Sequence, residues 1–315
     1  MSAEAHLEFA CFGGIASVHV LGSDEEQGHR LAEQGRELLL DAHRRLSRFE
    51  PASELSRLNR DPRTEAPASP LLRHLAAAVL TAGMRSGGLV DATLLDAIER
   101  AGYRSSLEIA EVPPLSRAEL AAQEQAPARP SAAAGWSAVR VDAEAGTVTR
   151  PPGVRIDGGG IAKGLMADLV GEELAGARTF AVECCGDVRL GGSSGLPRRI
   201  RVDDPFGPAP LHEFEISVGA AATSGITRRS WGGSGVGLAH QILDPASGRP
   251  AFTGIVQATA LAPTALEAEI LAKSALLSGL EDARGWLPFG GLLVPVEGEP
   301  EVVSGTESLA EAVAA

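Results

Sequence analysis

Basic charge, cysteine and long apolar runs are all scarce in this chain, and each scarcity removes a class of function. Lys and Arg number 28 against 41 Asp and Glu, a formal net charge of -13. With a sequence pI near 5.1, nothing offers the basic stripe whose counterion release drives binding to nucleic acid, and an anionic membrane surface is excluded with it. The clusters Arg198-Arg199-Arg201 and Arg228-Arg229 are short and read as solvated surface, although the second follows a Thr-Ser-Gly turn and could contact a ligand. No run reaches the roughly 18 apolar residues of a membrane span. Met1 to Gly14 lacks the basic start and long apolar stretch of an export signal, so the expected location is the cytoplasm. Three cysteines, two of them adjacent at Cys184 and Cys185, suit neither a disulfide framework nor zinc spacing and read as strand-buried thiols in a reducing compartment.

What is present is a soluble globular composition. A hydrophobic content of 44% over 315 residues is ample for a core, in one large two-lobed unit or in two domains. Leu7 to Leu21 reads as a strand pair around Gly13-Gly14, and Glu25 to Leu46 as an amphipathic helix. Helices are expected at Pro70 to Ser86 and Asp91 to Ala101, and Gln123 to Gly135, rich in Ala and Pro, as a surface loop. Strands follow at Val139 to Val141, Thr147 to Thr149, Arg155-Ile156, Thr179 to Cys184, Arg199 to Val202, Glu213 to Val218, Gln241 to Leu243, Ile255 to Leu261 and Gly291 to Pro295. Helices are expected at Ala162 to Leu174 and Ala265 to Leu277, with a frayed terminal helix from Glu307 to Ala315.

The segment Val154-Arg155-Ile156-Asp157-Gly158-Gly159-Gly160-Ile161-Ala162-Lys163-Gly164 runs from an apolar stretch through three glycines and a lysine into a helix. Glycines let backbone amides approach an anion, a helix start adds unpaired N–H groups and a positive dipole end, and Lys163 adds a full charge. Asp157 could hold a hydroxyl or amide of the same ligand. The pattern is neither a Walker loop nor a dinucleotide fingerprint, so phosphate binding and a plain strand-to-helix turn both stay open.

On the wheel of the later helix, Glu269 and Lys273 fall among Leu266, Ile270, Leu276, Leu277 and Leu280. An i,i+4 Glu–Lys pair normally decorates a polar face. Inside an apolar stripe it reads as a site or a buried structural pair, with Glu269 a candidate for a hard cation such as Mg²⁺. His240, opening His240-Gln241-Ile242-Leu243-Asp244-Pro245, reads as a structural histidine or a base. Ala222-Thr223-Ser224-Gly225 and Cys185-Gly186-Asp187 place small polar groups at strand ends.

In order, these pieces resemble the ApbE family of FAD:protein FMN transferases from about Phe9 to Gly279. The resemblance rests also on Leu46-Ser47-Arg48-Phe49, on Ser53 to Asn59, and on Gly87-Gly88-Leu89-Val90-Asp91-Ala92-Thr93. It implies a single α+β, T-fold-like domain over 1–315, two-lobed, with mixed or antiparallel sheets flanked by helices and the ligand cleft between the lobes. The loop 123–135 and a tail 305–315 lie outside that framework. It further implies that FMN passes from FAD to a Thr or Ser hydroxyl of an acceptor protein, with Mg²⁺ beside the pyrophosphate and AMP released. Leu89, Val90, Asp91, Asp157 and Lys163 then stand as flavin-nucleotide contacts, with Asn59 and Asp187 in matching motifs. Thr223 and Ser224 line the pocket, Gly160 (by its carbonyl) and Glu269 stand as metal ligands, and His240 is the base.

Three motifs depart from the family pattern. Phe12-Gly13-Gly14 stands where many members carry Met-Gly-Thr, so Phe12 takes the flavin contact. Glu269 and Lys273 replace the usual Asp and Thr of the metal helix, and Gln241 replaces a second His. An ammonium at Lys273 either repels a divalent ion or replaces its charge at the reacting site. FAD hydrolysis to FMN and AMP, and FAD binding without catalysis, are the alternatives.

Overall fold

The computed structural model describes residues 3–105, 114–233 and 236–314. The chain opens with a hairpin, β1 (Ala5–Cys11) and β2 (Gly14–Leu21), paired from Ala5↔Val20 to Cys11↔Gly14. Its turn residues Phe12 and Gly13 have φ of 49° and 72°, the positive pair that a type I′ hairpin requires. Helix α1 (Glu25–Leu46) starts at Asp24, whose side chain accepts the Gln27 N–H. Glu25 and Glu26 fill its first turn and His43, Arg44 and Arg45 its last, matching the helix dipole.

A smaller region follows: α2 (Glu54–Arg60), β3 (Glu65–Pro67), α3 (Pro70–Arg85), α4 (Leu95–Arg100), α5 (Arg117–Ala121), β4 (Arg140–Asp142) and β5 (Thr147–Thr149). Its strands form a sheet in the order β3-β5-β4. The remainder is α6 (Ala162–Glu173), β6 (Thr179–Cys184), β7 (Asp187–Gly191), β8 (Arg198–Asp203), β9 (Pro210–Ile216), β10 (Gly219–Gly225), β11 (Ser230–Gly233), β12 (Val236–His240), β13 (Leu243–Asp244), β14 (Arg249–Pro250), β15 (Ile255–Ala262), α7 (Ala265–Ser278), β16 (Gly291–Pro295), β17 (Glu301–Val303) and α8 (Leu309–Ala314).

The principal sheet has eight strands in the order β1-β2-β6-β7-β10-β15-β16-β17, and each neighbouring pair is antiparallel. Helices α1, α6 and α7 cover one face. On the other, Ala221, Leu261, Leu292 and Val294 pack against Val202 and Phe214 of the β8–β9 hairpin. Strand β15 is therefore buried at all eight positions, as a strand covered on both faces must be. The main core is continuous from Leu55 and Leu75 in the smaller region to Val182, Val256 and Ala268 around the sheet.

Three sequence expectations change. The helix expected over Asp91 to Ala101 is confined to Leu95–Arg100. Asp91 Oδ1 accepts the Thr93 N–H at 2.7 Å, an Asx turn that takes the backbone out of the helix. Arg155-Ile156 is not a sheet strand: the Asn59 side-chain amide accepts the Ile156 N–H and donates to its carbonyl, both at 2.8 Å, as a neighbouring strand would. The expected strand Gln241 to Leu243 pairs only at Leu243–Asp244, against Arg249–Pro250. Around Gln123 to Gly135 the chain is irregular but tied down, with Ala126 and Ala128 N–H groups donating to Phe252 and Leu277 carbonyls at 2.8 and 2.9 Å. The terminal helix covers Leu309–Ala314, and Ala315 lies outside the described residues.

Helix α7 has no solvated polar face: eleven of its fourteen residues are buried, Glu269 among them, and Leu266, Glu267 and Lys273 are only partly exposed. The expected stripe ends before Leu280, which lies beyond the helix and is 57% exposed. Thr264 caps the helix start by accepting the Glu267 N–H. Asp168 of α6 accepts the Ala265 and Leu266 N–H groups at 2.7 and 2.8 Å. The two helices meet at Gly164, where a Cβ would lie 2.4 Å from the Ala265 carbonyl oxygen, so only glycine permits the crossing.

Candidate functional site

The glycine segment and the α7 pair, far apart in sequence, meet. Asp157 Oδ1 accepts the Gly159 N–H at 3.0 Å and starts a single 3-10 turn over Gly158–Gly160, from which α6 follows at Ala162. The open helix start expected here is closed at one position, since Glu269 Oε2 accepts the Gly164 N–H at 3.0 Å. Glu269 Oε1 faces two ammonium groups, Lys163 at 3.7 Å and Lys273 at 3.9 Å. Lys163 also donates directly to Asp187 at the start of β7. Asp187 in turn accepts the Thr223 N–H of β10 at 3.4 Å, and Lys273 donates to Ser224 Oγ at 3.4 Å. Thr223 Oγ1 lies 2.9 Å from Thr259 Oγ1 on β15.

Lys163, Asp187, Glu269 and Lys273 form a balanced quartet with an outward polarity. The two carboxylate side chains are 1% and 2% exposed, the two lysine side chains 14% and 16%, so an approaching group meets positive charge first. Burial pulls the Lys163 ammonium down, but the two carboxylates outweigh it and its pKa stands above the lysine range. Burial holds Lys273 below its ordinary value, with Glu269 and Asp187 pulling it up and Lys163 and Arg229 pushing it further down. Burial pushes the Asp187 carboxyl up, with Lys163 pulling against it. Arg229 Nη2 donates to the Phe12 carbonyl at 3.4 Å, so the β1–β2 turn joins the same neighbourhood. The Phe12 ring meets His43 edge-on at 5.3 Å.

Asp157 points to a second assembly, 3.5 Å from Arg48 Nε. The Arg48 guanidinium lies over the Phe49 and Tyr103 rings, 4.1 and 4.6 Å from their centroids, and Tyr103 stacks on Trp231 at 5.3 Å. The sequence reading did not single out Tyr103, Trp231, Thr259 or Arg229 as site residues. Only the basic pair after the Thr-Ser-Gly turn gave a signal for Arg229.

Other expected residues sit differently. Asn59 spends its amide on Ile156 and supports Asp157 from behind. Leu89 and Val90 are buried, the Val90 N–H donating to Ser86 Oγ at 2.9 Å. Asp91 Oδ1 is engaged by Thr93, and burial raises its pKa. A cavity of about 540 Å³ is lined by Leu89 with Pro127, Ala128, Pro130, Ser278 and Trp286 among others. None of the quartet lines it, and charge and hydrogen bonding identify the site better than volume does.

His240 is fully buried. Its Nδ1 accepts the Ile242 N–H at 3.3 Å, Phe252 meets its ring edge-on at 4.9 Å, and Nε2 has no partner among the described residues. Burial drops its pKa to about 3, against a smaller opposing pull from the Ala251 backbone. It is a neutral ring of depressed basicity, and no hydrogen bond links it to the quartet among the described residues.

A divalent ion fits these side chains poorly. Among the described residues no group of three or more His, Cys, Asp or Glu converges as a metal site. Of the proposed ligands, Glu269 has one oxygen committed to Gly164. Its other oxygen faces two cations, and Lys273 Cε would lie 3.0 Å from a Cβ at Gly160. The expectation of Mg²⁺ on Gly160 and Glu269 meets repulsion where it needs further oxygen ligands.

A family model described as the ApbE family matches residues 12–291. The FAD:protein FMN transferase of Haemophilus influenzae is 27% identical over 276 residues, 83% of this chain and 76% of that protein. That of Treponema pallidum is 31% identical over 143 residues, and the match spans only 39% of that relative's length. The crystal structure of the ApbE protein from Thermotoga maritima aligns with a TM-score of 0.79 at 26% identity, covering 96% of this chain and 98% of that one. Because the family match runs from the β1–β2 turn to the start of β16, through every segment that builds the quartet, the chain belongs to the ApbE family.

Proposed function

We propose that this chain is an FAD:protein FMN transferase, moving FMN from FAD to a Thr or Ser hydroxyl of an acceptor protein and releasing AMP. The observation that carries the reading is the pair of ammonium groups, Lys163 and Lys273, held outward by two sealed carboxylates beside the Gly158–Gly160 turn. It is the charge a pyrophosphate requires, fixed before the ligand arrives. The names of the similar proteins supply the substrate class.

In this reaction the acceptor oxygen bonds to the FMN-side phosphorus as the bridging P–O bond to AMP breaks. AMP leaves with the electron pair, and the hydroxyl proton passes to a base. Lys163 and Lys273 meet the charge on the pyrophosphate. Thr223 and Ser224 line the phosphate end, Asp157 with Leu89, Val90 and Asp91 contacts the flavin nucleotide, and Phe12 packs on the flavin. The family resemblance makes His240 Nε2 the acceptor of that proton, and because this atom is sealed from solvent, the transfer requires acceptor binding to open its surroundings.

The buried, weakly basic His240 favours a second reading, FAD binding without catalysis. Intact-mass spectrometry of an acceptor domain incubated with the protein and FAD, with AMP and FMN quantified, separates the readings. A gain of one FMN on the acceptor with equal AMP is expected. AMP and free FMN on an unmodified acceptor would mean hydrolysis, and retained FAD without AMP would mean binding alone.

A further inference from the structure

We propose that the Lys273 ammonium takes the place of a divalent cation in this site, so that the chain binds its flavin nucleotide without Mg²⁺. The proposal rests on the flavin-nucleotide reading above and concerns the charge that meets the pyrophosphate.

The cationic position is already filled by the protein. Glu269 Oε2 is committed to the Gly164 N–H at 3.0 Å, and Oε1, which has no hydrogen-bond partner among the described residues, lies 3.7 Å from Lys163 Nζ and 3.9 Å from Lys273 Nζ. A Mg²⁺ ion bonds its oxygens at about 2.0–2.1 Å, so an ion on Oε1 would sit against both ammonium groups. Gly160, whose carbonyl would be the next ligand, is overlain by the Lys273 chain, with Cε 3.0 Å from where a Cβ would be. Asp187, the other sealed carboxylate, is engaged by Lys163 and the Thr223 N–H.

The two lysines divide the work. Lys163 is bound to Asp187 and also faces Glu269, so two carboxylates fix its ammonium in place. Among the described residues, Lys273 has a single 3.4 Å hydrogen bond, to Ser224 Oγ, and one carboxylate at 3.9 Å. It is the freer cation and, at 16% side-chain exposure against 2% for Glu269, the one a phosphate oxygen reaches first. A compact ammonium with three rotatable donors binds phosphate as a point charge does.

The test uses the full chain in two independent arms. Mn²⁺ titration followed by electron paramagnetic resonance is expected to show no stoichiometric site in the wild type and one in Lys273→Thr. FAD titration followed by flavin fluorescence is expected to give the same Kd within twofold in EDTA and in Mg²⁺. In Lys273→Thr, affinity in EDTA should fall at least tenfold and Mg²⁺ should restore it, whereas Lys273→Arg should remain metal-indifferent. Stoichiometric Mn²⁺ binding to the wild type, or a tenfold loss of its FAD affinity in EDTA, would overturn the proposal. If FAD fails to bind in either buffer, the flavin reading falls, and wild-type Mn²⁺ binding still decides the charge replacement.

Discussion

At the scale of single residues, the site depends on charges that cannot be left alone. Asp187 is fully buried and bonded to Lys163, whose other carboxylate lies at 3.7 Å. Removing one partner of a buried pair strands the other at a cost of about 3–5 kcal/mol, whereas replacing both by apolar groups of similar size is often close to neutral. Asp187→Ala should therefore lower the stability by about 3 kcal/mol, read from urea unfolding with an unchanged slope. Lys163→Met combined with Asp187→Leu should recover most of that loss while abolishing FAD binding. A loss under about 1 kcal/mol for Asp187→Ala would mean that water already screens the pair. The contrast with His240 is instructive. Its burial removes charge and lowers basicity, while the burial of Lys163 is outweighed by carboxylates that keep it charged.

At the scale of elements, the crossing of α6 and α7 carries the quartet, and Asp168 anchors it by accepting two N–H groups at the α7 start. Burial pushes the Asp168 carboxyl up to about 6, against the pull of those N–H groups and of Arg189. The folded state thus keeps a proton that the unfolded chain, with a carboxyl near 3.8, has lost. The stabilising contribution is complete below about pH 4 and disappears as pH rises through about 6. Two pKa units correspond to roughly 3 kcal/mol at most. In urea unfolding at pH 4.5 and 7.0, the wild type should lose roughly 2 kcal/mol more than Asp168→Asn between the two pH values. Equal losses would show that Asp168 titrates normally. Asp187 shares the direction, which is why the difference between the proteins, not the wild-type curve alone, carries the result.

The same elements show what a sequence reveals. Helix α1 and strands β5, β6 and β16 coincide with the ranges read from periodicity and turn residues, because local pattern and tertiary burial agree there. The charges of α7 stand out against an apolar stripe in the sequence, and the helix is in fact buried around most of its circumference, Glu269 included. Arg155-Ile156 misread as a strand because its hydrogen-bond partner is the side chain of Asn59, 97 residues earlier. Of the wall of Arg48, Tyr103 and Trp231, only Arg48 lies in a motif legible in the sequence, since Tyr103 and Trp231 join it from separate parts of the chain.

At the scale of the whole molecule, the site stands on the most protected part of the fold. Strand β15 is hydrogen-bonded to β10 on one side and β16 on the other, and all eight of its residues are buried. It lies under α7, which supplies Glu269 and Lys273, and beside β10, which supplies Thr223 and Ser224. The outer edge is different: β17 has three residues, none of them buried, and α8 buries none. Amides with buried partners on every side exchange only through global opening, while edge elements open locally at little cost. Hydrogen exchange read by mass spectrometry should show residues 255–262 and 268–277 exchanging last and together, and 301–303 and 309–314 within the earliest time points. Saturating FAD should then slow 157–164 and 223–229 without changing 255–262, because the ligand orders loops that rest on a support already rigid. If 255–262 instead exchanged as fast as 301–303, the sheet would be opening strand by strand. Lys273 and Ser224 would then sit on mobile elements, and a cation fixed in advance of its ligand could not be how this site works.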